Sequence, residues 1–538
     1  WAWKEQYGSR IEKQVRRLGS SCDWSRKRFT MDDTCARAVR EVFVTLYEKG
    51  LIYQGQRITN WCPHCHTALS DIEVDHSDVQ GHLWYIKYPV VGEDDYIMIA
   101  TTRPETIMGD TAVAVNPADD RMKKYIGKKV VVPLVDREVE VIADDYVDIG
   151  FGTGAVKITP AHDPNDFEMG QRHNLESIMI MNLDGTMNEK AGAKYNGMTR
   201  EDCRKAVVAD LKELGLLDHI EELTHAVGHC SRCKTTVEPF VTKQWFVKMK
   251  PLTEAALKAV EDGHTKFIPD RFVKIYNHWL EDVHDWCISR QLWWGHRIPA
   301  YFLPTADGAD EKYVVAPTRE EALEKARKIE GYENITAEEL KHDEDALDTW
   351  FSSWLWPISL FDGINNPGNE EIKYYYPTAD LVTGPDIIFF WVARMIMAGY
   401  EYMGEMPFRH VYFTGIVRDK LGRKMSKSLG NSPDPIELIE KYGADGVRMG
   451  LMLAAPAGND ILYDDALCEQ GRNFNNKIWN AFRLVKGWEV ADIEQPEHSR
   501  LAVQWFDNVL RSTEAEVKDL FSKFRLNEAL MAIYRLFW

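Results

Sequence analysis

The sequence lacks any long apolar run, any low-complexity tract and any repeat of fixed period. No stretch approaches the ~20 consecutive apolar residues of a membrane helix, and no apolar segment follows Trp1 as it would in a signal peptide. Basic residues are fewer than acidic ones, 65 against 84, and the resulting net charge of −19 argues weakly against a protein that coats nucleic acid. We therefore expect a soluble, cytoplasmic protein without membrane contact, and 538 residues predict several domains.

Cysteine is also rare, with nine residues in the whole chain. Disulfide scaffolds are short and dense in cysteine, so metal binding is the better expectation for the four that form two Cys-x-x-Cys pairs, Cys62 with Cys65 and Cys230 with Cys233. Two such knuckles complete a tetrahedral zinc site, although 164 residues lie between them. A structural zinc would then close the base of an inserted domain. Two unrelated reduced or redox-active pairs are the alternative.

The segment between the two pairs differs in its residue pattern from the rest of the chain. Short alternating runs at 83–87, 96–100, 130–134 and 139–142 predict strands, and residues 200–214 predict one helix. Helical periodicity predicts further helices at 32–50, with Asp32 as the N-cap, at 387–397 and from about 434 to the end. We interpret the β-rich segment as a domain inserted into an α/β protein.

The most specific string is 424–428 (KMSKS), which is followed by 429–431 (LGN). Two lysines on a loop of small residues can follow a triphosphate while charge builds on it during nucleotidyl transfer. A pentamer of this kind is often only a solvated loop. Here it follows a short apolar segment at 413–417 and precedes a helical region, which favours a functional loop.

In this context the sequence resembles the valyl-tRNA synthetases, a family of class I aminoacyl-tRNA synthetases, over essentially the whole chain. The resemblance rests on the lysine loop and on four further stretches: 286–291 (WCISRQ), 293–299 (WWGHRIP), 347–353 (LDTWFSS) and 383–391 (TGPDIIFFW). The related isoleucine and leucine enzymes share this general plan. The residues at 385–391 and at 455–460 (APAGND) favour the valine enzymes over the isoleucine and leucine enzymes.

The resemblance implies a ligase that activates valine with ATP and Mg²⁺ and esterifies it to tRNA(Val), acting as a monomer. Lys424 and Lys427 are then catalytic, and Lys424, Ser426 and Lys427 bind ATP. The amino-acid pocket is formed by Trp350, Asp386, Ile387 and Trp391. Without the resemblance, these aromatic residues would be read as core residues, and a structural role is nearly as good an interpretation of Asp386.

Two stretches inside the insertion, 101–106 (TTRPET) and 151–166 (FGTGAVKITPAHDPND), resemble the family's editing domain. Editing is needed because an apolar pocket rejects threonine, which has the shape of valine, by only ~10², a known figure for the valine enzyme. The resemblance implies that Asp163 and Asp166 hold the ammonium and hydroxyl groups of a threonyl ester. Four residues bind the tRNA 3′ end or position water, and a fifth contacts substrate: Arg103, Thr106, Lys157, Thr159 and Phe151. We expect hydrolysis without a metal. A turn beginning at Asp163 is the alternative.

The implied fold is a class I Rossmann-like core, with a β-barrel-like editing domain, zinc knuckles and a C-terminal helical region. The expected domains are 1–61 (part of the core), 62–79 and 226–240 (knuckles), 80–225 (editing), 241–425 (remainder of the core), 426–475 (lysine loop and stem-contact region) and 476–538 (start of the anticodon-binding domain).

The sequence departs from the family pattern at one point, because the His-x-Gly-His signature that binds ATP is not found in it. We expect this signature upstream of residue 1. The similar string 225–229 (HAVGH) is mis-spaced and leads into the second knuckle. We therefore expect the N-terminal half of the core to be missing and valine-dependent ATP–pyrophosphate exchange to be severely impaired. A stand-alone editing hydrolase, an isoleucyl-type synthetase and a non-catalytic tRNA-binding or zinc module are the alternatives.

Overall fold

The computed structural model describes residues 1–306, 310–426 and 429–538. The chain divides into two compact units, each assembled from separate stretches of sequence. The first unit consists of Trp1–Cys35, Lys250–Val283 and Ser353–Trp538, and the second consists of Ala36–Met249 and His284–Ser352. Both combine helices and strands, as expected for an α/β protein.

The first unit is mainly helical and contains short parallel strands. Its strands are Lys266–Ile268, Thr378–Thr383, Phe408–Phe413, Val417–Arg418 and Ile461–Leu462. Its α-helices are Ala2–Tyr7, Arg10–Arg17, Lys250–Glu261, Phe272–Glu281, Trp356–Ser359, Glu370–Tyr375, Arg394–Met403, Pro435–Tyr442, Ala444–Leu453, Asp465–Lys486, Glu497–Ser522 and Leu526–Phe537.

A three-stranded parallel sheet forms the centre of this unit, with Phe408–Phe413 between Lys266–Ile268 and Thr378–Thr383. Parallel strands need a crossover connection, which the intervening helices supply. The buried ring of Phe413 lies 5.3 Å from that of Phe267 and 4.6 Å from that of Phe272, centroid to centroid. Aromatic packing therefore fastens the strands to the helix that begins at Phe272.

Glycines permit a close crossing of the helices Ala444–Leu453 and Asp465–Lys486. A Cβ atom on Gly450 would lie 2.3 Å from the carbonyl oxygen of Leu467, and one on Gly471 would lie 2.3 Å from that of Gly446. No side chain fits at such distances. The expected boundary at 476 falls inside the second of these helices, so the backbone has no break there.

The second unit is mainly β-structure. Its strands are Ile52–Cys62, Thr67–Leu69, Val74–Pro89, Tyr96–Thr101, Ala112–Val115, Lys129–Val132, Arg137–Ala143, Ala155–Ile158, Leu217–Cys230, Glu238–Val247, Trp286–Cys287, Ser289–Arg290, Ala300–Phe302, Tyr313–Val315, Lys341–His342 and Ala346–Leu347. Its α-helices are Asp33–Glu48, which begins just before the unit, Pro164–Arg172, Arg200–Glu213, Arg319–Ala326 and Thr349–Ser353, which ends just beyond it.

Two antiparallel strand pairs lead into and out of the inserted segment. Ile52–Cys62 pairs with Glu238–Val247 in an unbroken register from Ile52 opposite Val247 to Trp61 opposite Glu238. Beyond the knuckles, Val74–Pro89 pairs with Leu217–Cys230, and its residues 75–80 are exposed. The segment therefore joins the rest of the unit through a two-stranded ribbon with solvent on both faces.

Beyond the ribbon, the inserted segment contains two sheets. One has the order Tyr96–Thr101, Val74–Pro89, Leu217–Cys230, and the other has Lys129–Val132, Arg137–Ala143, Ala112–Val115, Ala155–Ile158. Buried side chains of both sheets belong to a large apolar cluster that also contains Trp61, Phe240 and Phe246 from the strands at the base, while Ala112, Ala114, Ile142 and Ile158 on the other face of the second sheet belong to a smaller separate cluster. The core of the inserted segment is thus continuous with the core of its base.

Most of the secondary structure predicted from periodicity is confirmed. Asp32 caps the helix Asp33–Glu48, since its Oδ1 accepts the Cys35 amide at 2.8 Å, and Gly50 has a φ of +71° just past the helix end. The prediction of a continuous helix at 387–397 is wrong in part. Ile388–Ala393 forms a π-helical turn, and the regular α-helix begins at Arg394. No helix in the described part of the chain is long and apolar enough to cross a membrane.

Candidate functional site

The four paired cysteines converge at one point despite their separation in sequence. Their sulfur atoms all lie within 4.8 Å of one another, and the sulfurs of Cys62 and Cys233 are 3.4 Å apart. A tetrahedral zinc with Zn–S bonds of about 2.3 Å requires sulfurs about 3.8 Å apart. The cysteine cluster, as we call these four residues, therefore fits one tetrahedral ion. It is the only group of its kind within the described ranges.

The two knuckles share one backbone geometry. His66, the residue after the first pair, has a φ of +52°, and Lys234, the residue after the second, has a φ of +64°. Each donates its amide to the carbonyl oxygen of the first cysteine of its pair at 2.8 Å, to Cys62 and Cys230 respectively. Positive φ is uncommon for such residues, so its repetition indicates a shared constraint on the two loops. That constraint turns both sulfurs of each pair to the same side.

Asp163 and Asp166 occupy the first turn of the helix Pro164–Arg172. Asp163 is its N-cap, and its Oδ1 accepts the amides of Asn165 at 2.8 Å and of Asp166 at 3.2 Å. The Asp166 carboxylate is buried and accepts the Thr159 amide at 2.8 Å. Burial, with the nearby Asp163 charge, raises the pKa of Asp166 to about 7, although Lys157 and the Thr159 amide oppose the shift.

Lys157 and Thr159 are buried and share the carboxylate of Asp110. The Lys157 Nζ lies 3.2 Å from Asp110 Oδ1, and the Thr159 hydroxyl donates to the same oxygen at 2.6 Å. The other oxygen of Asp110 accepts the hydroxyl of Tyr88 at 2.6 Å. Burial raises the pKa of Asp110 despite these three donors. Lys157 therefore neutralises an internal charge, and Asp110 and Asp166 hold Thr159 by its hydroxyl and its amide.

Arg103 joins two buried glutamates to the loop that carries Asp163. Its guanidinium lies 3.3 Å from Glu105 and 2.5 Å from Glu238, and it donates to the carbonyl oxygen of His162 at 3.1 Å. Thr106, which is buried, donates its hydroxyl to the Arg103 carbonyl oxygen at 2.9 Å. A quarter of the Arg103 side chain stays exposed, whereas the glutamates have almost no exposed area.

The structure thus brings six of the seven residues predicted for this site into one hydrogen-bonded region. The seventh, Phe151, is 62% exposed on the glycine-rich turn between Gly150 and Gly154. Sequence reasoning did not assign roles to the buried partners of the site, which are Tyr88, Glu105, Asp110, His162, Arg200 and Glu238, or to the partly exposed Arg204. Glu105 and His162 lie within the two quoted stretches, but Glu238 has no local motif that would have identified it.

The lysine loop lies in the first unit, and its described part is organised by Asp419 and Asn431. Asp419 accepts the amides of Leu421 and Arg423 at 3.0 and 2.8 Å, and the Asn431 amide group at 2.9 Å. Asn431 in turn accepts the Ser426 amide at 2.8 Å. The Asn431 hydrogen bond and the Arg423 contacts lower the pKa of Asp419 to about 2. Lys424 is exposed, and Lys427 lies outside the described residues.

The stem of the same loop contacts the segment at 455–460. Asp460 accepts the Ile416 amide at 3.1 Å and pairs with Arg418. Gly415 leaves no space for a side chain, because a Cβ atom there would overlap the carbonyl oxygen of Asn459. The stretch at 455–460, which favoured valine in the sequence, therefore supports the lysine loop.

The residues predicted for the amino-acid pocket belong to different units. Asp386 is exposed and Ile387 is half-buried, and both lie in a short 3₁₀ turn. Trp391 lies in the π-helical turn and donates its indole N–H to the Ser353 carbonyl oxygen at 2.9 Å. Trp350 belongs to the second unit, where its amide donates to Asp348 at 2.9 Å. The pocket stays a prediction.

The raised pKa of Asp166 makes the stability of the second unit depend on pH. Its pKa in the folded state is about 7, against about 3.9 in an unfolded chain. Stability is therefore fully present below about pH 4 and is lost as pH rises through 7, by on the order of 1–4 kcal/mol. Relative to the wild type, Asp166→Asn should gain thermal stability between pH 5 and pH 8. Asp145→Asn, a change at an exposed position of the same segment, should show no such gain. A stability difference between the wild type and the Asp166→Asn variant that stays constant with pH would contradict the assignment.

The chain is similar to known proteins along its whole length. The family model for class I tRNA synthetases (I, L, M and V) matches residues 1–464. Valine–tRNA ligases of Phocaeicola vulgatus and Bacteroides fragilis are each 63% identical to the chain, and that of Carboxydothermus hydrogenoformans is 52% identical. Each alignment covers 100% of the chain and 60–61% of the relative, so the chain spans about three fifths of the length of these relatives.

Solved structures share the fold at low sequence identity. The LeuRS of Agrobacterium radiobacter K84, solved as a ternary complex with tRNA and LeuAMS, matches with a TM-score of 0.54 and 18% identity over 100% of this chain and 72% of that one. A methionyl-tRNA synthetase of Mycobacterium tuberculosis, in complex with methionyl-adenylate, matches with a TM-score of 0.50 and 15% identity over 100% of this chain and 69% of that one. With the family model covering most of its length, the chain belongs to the class I tRNA synthetases of the isoleucine, leucine, methionine and valine group.

Proposed function

We propose that the chain forms the catalytic and editing portion of a valine–tRNA ligase, which activates valine with ATP, esterifies it to tRNA(Val) and hydrolyses mistaken threonyl esters. The observation that carries the proposal is the 63% identity to valine–tRNA ligases along the whole chain. This identity also favours valine over the isoleucyl-type alternative. The proposal includes action as a monomer.

In the ligase reaction, ATP with Mg²⁺ would supply the adenylyl group that is transferred to the valine carboxylate, and pyrophosphate would leave. Lys424 and Ser426 would hold the triphosphate together with Lys427, and Asp419 and Asn431 would keep the loop in shape. An exposed lysine on a flexible stem can follow charge as it moves from the α-phosphate to the leaving pyrophosphate. Asp419 favours this arrangement because its own charge is taken up by Arg423 and backbone amides, which leaves the loop cations for the substrate.

The ligase proposal predicts a loss of activity when Lys424 is changed to Ala in the full-length protein that contains this chain. Valine-dependent ATP–pyrophosphate exchange should fall by about 10²–10³, as when one donor to transition-state charge is removed. Lys420→Ala is the matched control, since Lys420 is an exposed lysine four residues earlier in the same loop. Exchange that isoleucine supports better than valine would contradict the proposed specificity, and unchanged exchange in the Lys424 variant would contradict the role of the loop.

The editing proposal rests on the charge arrangement at Asp166. Arg103 and Lys157 already pair with internal carboxylates, whereas the Asp166 carboxylate is buried and accepts a backbone amide. A raised pKa indicates a carboxylate that would be stabilised by a cation. The ammonium group of an aminoacyl ester is such a cation, and Asp163, at the exposed side of the same turn, is suited to the threonyl hydroxyl. This favours an editing site over a simple turn.

The remaining residues of the site support this arrangement through the backbone. On one side of the site, the Thr106 hydroxyl donates to the Arg103 carbonyl oxygen. On the other side, Lys157 and Thr159 both contact the Asp110 carboxylate. We propose that Thr159 positions water at the ester, and that Lys157 supports it by neutralising the Asp110 carboxylate that binds the Thr159 hydroxyl. The exposed edge of Arg103 and the ring of Phe151 would contact the tRNA 3′ end. The two sheets around this site would form the barrel-like editing domain at 80–225.

The editing proposal predicts that the chain deacylates threonyl-tRNA(Val) and spares valyl-tRNA(Val). Discrimination arises because valine leaves the hydroxyl-reading groups unpaired. Asp166→Asn should slow threonyl-tRNA hydrolysis by about 10²-fold, which corresponds to the loss of a charge-assisted hydrogen bond. Asp163→Ala should reduce hydrolysis or relax its specificity, and Asp145→Asn should leave it unchanged. Equal cleavage of both esters by the wild type, or full activity of Asp166→Asn, would refute the assignment.

We propose that the cysteine cluster holds one structural zinc ion. Burial raises the pKa values of the Cys62 and Cys65 thiols, and the neighbouring thiols raise that of Cys65 further. Four thiols packed this closely with small apolar neighbours are stabilised when a cation replaces their protons. The ion would fasten the two knuckles to each other and take no part in the chemistry.

The zinc proposal predicts about one zinc ion per chain in the purified protein, since four thiolates fill a tetrahedral shell. Cys65→Ser should lower the zinc content and the thermal stability, because an incomplete shell binds the ion weakly. Cys22→Ser is the control, since Cys22 is an exposed cysteine outside the cluster. A folded wild-type protein without metal, or a Cys65 variant with undiminished zinc, would contradict the proposal.

A further inference from the structure

Glu238 lies outside the inserted segment but reaches into its site. It is the first residue of the strand Glu238–Val247, it follows the second knuckle, and only 3% of it is exposed. Its Oε2 accepts a guanidinium N–H of Arg103 at 2.5 Å, and its Oε1 accepts one of Arg200 at 2.6 Å. One carboxylate from the base therefore binds two arginines of the insertion.

The Arg103 side chain links Glu238 to the loop that contains Asp163. Its NH2 group is bound by Glu238, while its NH1 group donates to the carbonyl oxygen of His162, the residue before Asp163. The guanidinium is planar and rigid, so fixing one of its nitrogens fixes the direction of the other. The His162 ring is also held, because its Nε2 accepts the Ile180 amide at 3.0 Å.

We propose that Glu238 is a positioning residue of the hydrolytic site, which acts by orienting Arg103 and thereby the turn from His162 to Asp166. The inference rests on the proposed editing function. It implies that the strand at the base contributes to the hydrolytic site, so residues 80–225 do not contain all of it. Both carboxylate oxygens of Glu238 are occupied by arginines and only 3% of the residue is exposed, so its removal should lower the rate at which bound substrate is hydrolysed and not the affinity for substrate.

A change at Glu238 also disturbs a buried charge balance, which the experiment has to separate from positioning. Arg103, Arg200 and Arg204 share two buried glutamates, Glu105 and Glu238. Neutralising Glu238 alone adds one uncompensated positive charge to this group, and removing one partner of a buried ion pair destabilises a protein. The double variant Glu238→Gln/Arg200→Gln removes one charge of each sign and restores the balance.

The experiment measures kcat and KM for threonyl-tRNA(Val) hydrolysis, together with thermal stability, on the full chain. In Glu238→Gln/Arg200→Gln, stability should return towards that of the wild type while kcat stays lower by about 10- to 100-fold, because a displacement of 1 Å in a site costs about 10². KM should stay within about 2-fold, since no uniform binding contact is removed. The control is Glu201→Gln, which removes an exposed carboxylate from the same Arg200 and should leave both constants unchanged.

Arg103→Gln tests whether Glu238 acts through Arg103. In the Arg103→Gln background, adding Glu238→Gln should lower kcat no further, because the two residues then form one non-additive unit. Two outcomes would overturn the inference: a kcat of the balanced double variant that recovers with its stability, or additive losses in the Arg103 background. A wild-type chain that leaves threonyl-tRNA intact would instead overturn the proposed function itself.

Discussion

The antiparallel pairing of Ile52–Cys62 with Glu238–Val247 is the constraint on which the second unit depends. It joins residues nearly 200 positions apart in sequence, in an unbroken register that ends at Trp61 opposite Glu238. Closing a loop of this length is only modestly more costly than closing a short one, because the entropy grows with the logarithm of the length. Once the strands are paired, both knuckles lie at their ends, and the cysteine cluster and the exposed ribbon follow from that position.

The same register determines the electrostatics of the inserted segment. A one-residue slip would turn the side chain of Glu238 to the opposite face of its sheet. Arg103 and the buried Arg200 would then lose the carboxylate that they share, and unpaired charge is costly where it is buried. In the native register, the buried carboxylates Glu105, Asp110 and Glu238 each pair with a cation. Asp166 instead accepts a backbone amide, and its pKa stays high. Of these four carboxylates, Asp166 is thus the one that forms no salt bridge within the described part of the chain, and its charge changes near pH 7.

The sequence predicted the local features of this arrangement better than the long-range ones. Amphipathic periodicity and capping fix the helix Asp33–Glu48 because neighbouring residues decide both. The spacing of Cys62 and Cys65 predicts a knuckle for the same reason. In contrast, one partner of Arg103, Glu238, lies in a strand 135 residues later, and no local pattern marks it as a partner. The sequence does not reveal the π-helical turn at Ile388–Ala393 either, because its composition is that of any buried helix.

A comparison of Lys157 with Lys424 explains why residue types alone did not separate structural from substrate-directed cations. Both are lysines in the two most specific motifs, but Lys157 lies in a strand whose neighbours place Asp110 beside it, and it is 8% exposed. Lys424 lies in a loop where Arg423, not Lys424, pairs with the local acid Asp419. Burial makes a salt bridge obligatory in the first case, whereas exposure lets the second lysine keep its charge in water. The motif predicts where charge is concentrated, and the tertiary environment decides whether that charge serves the fold or a ligand.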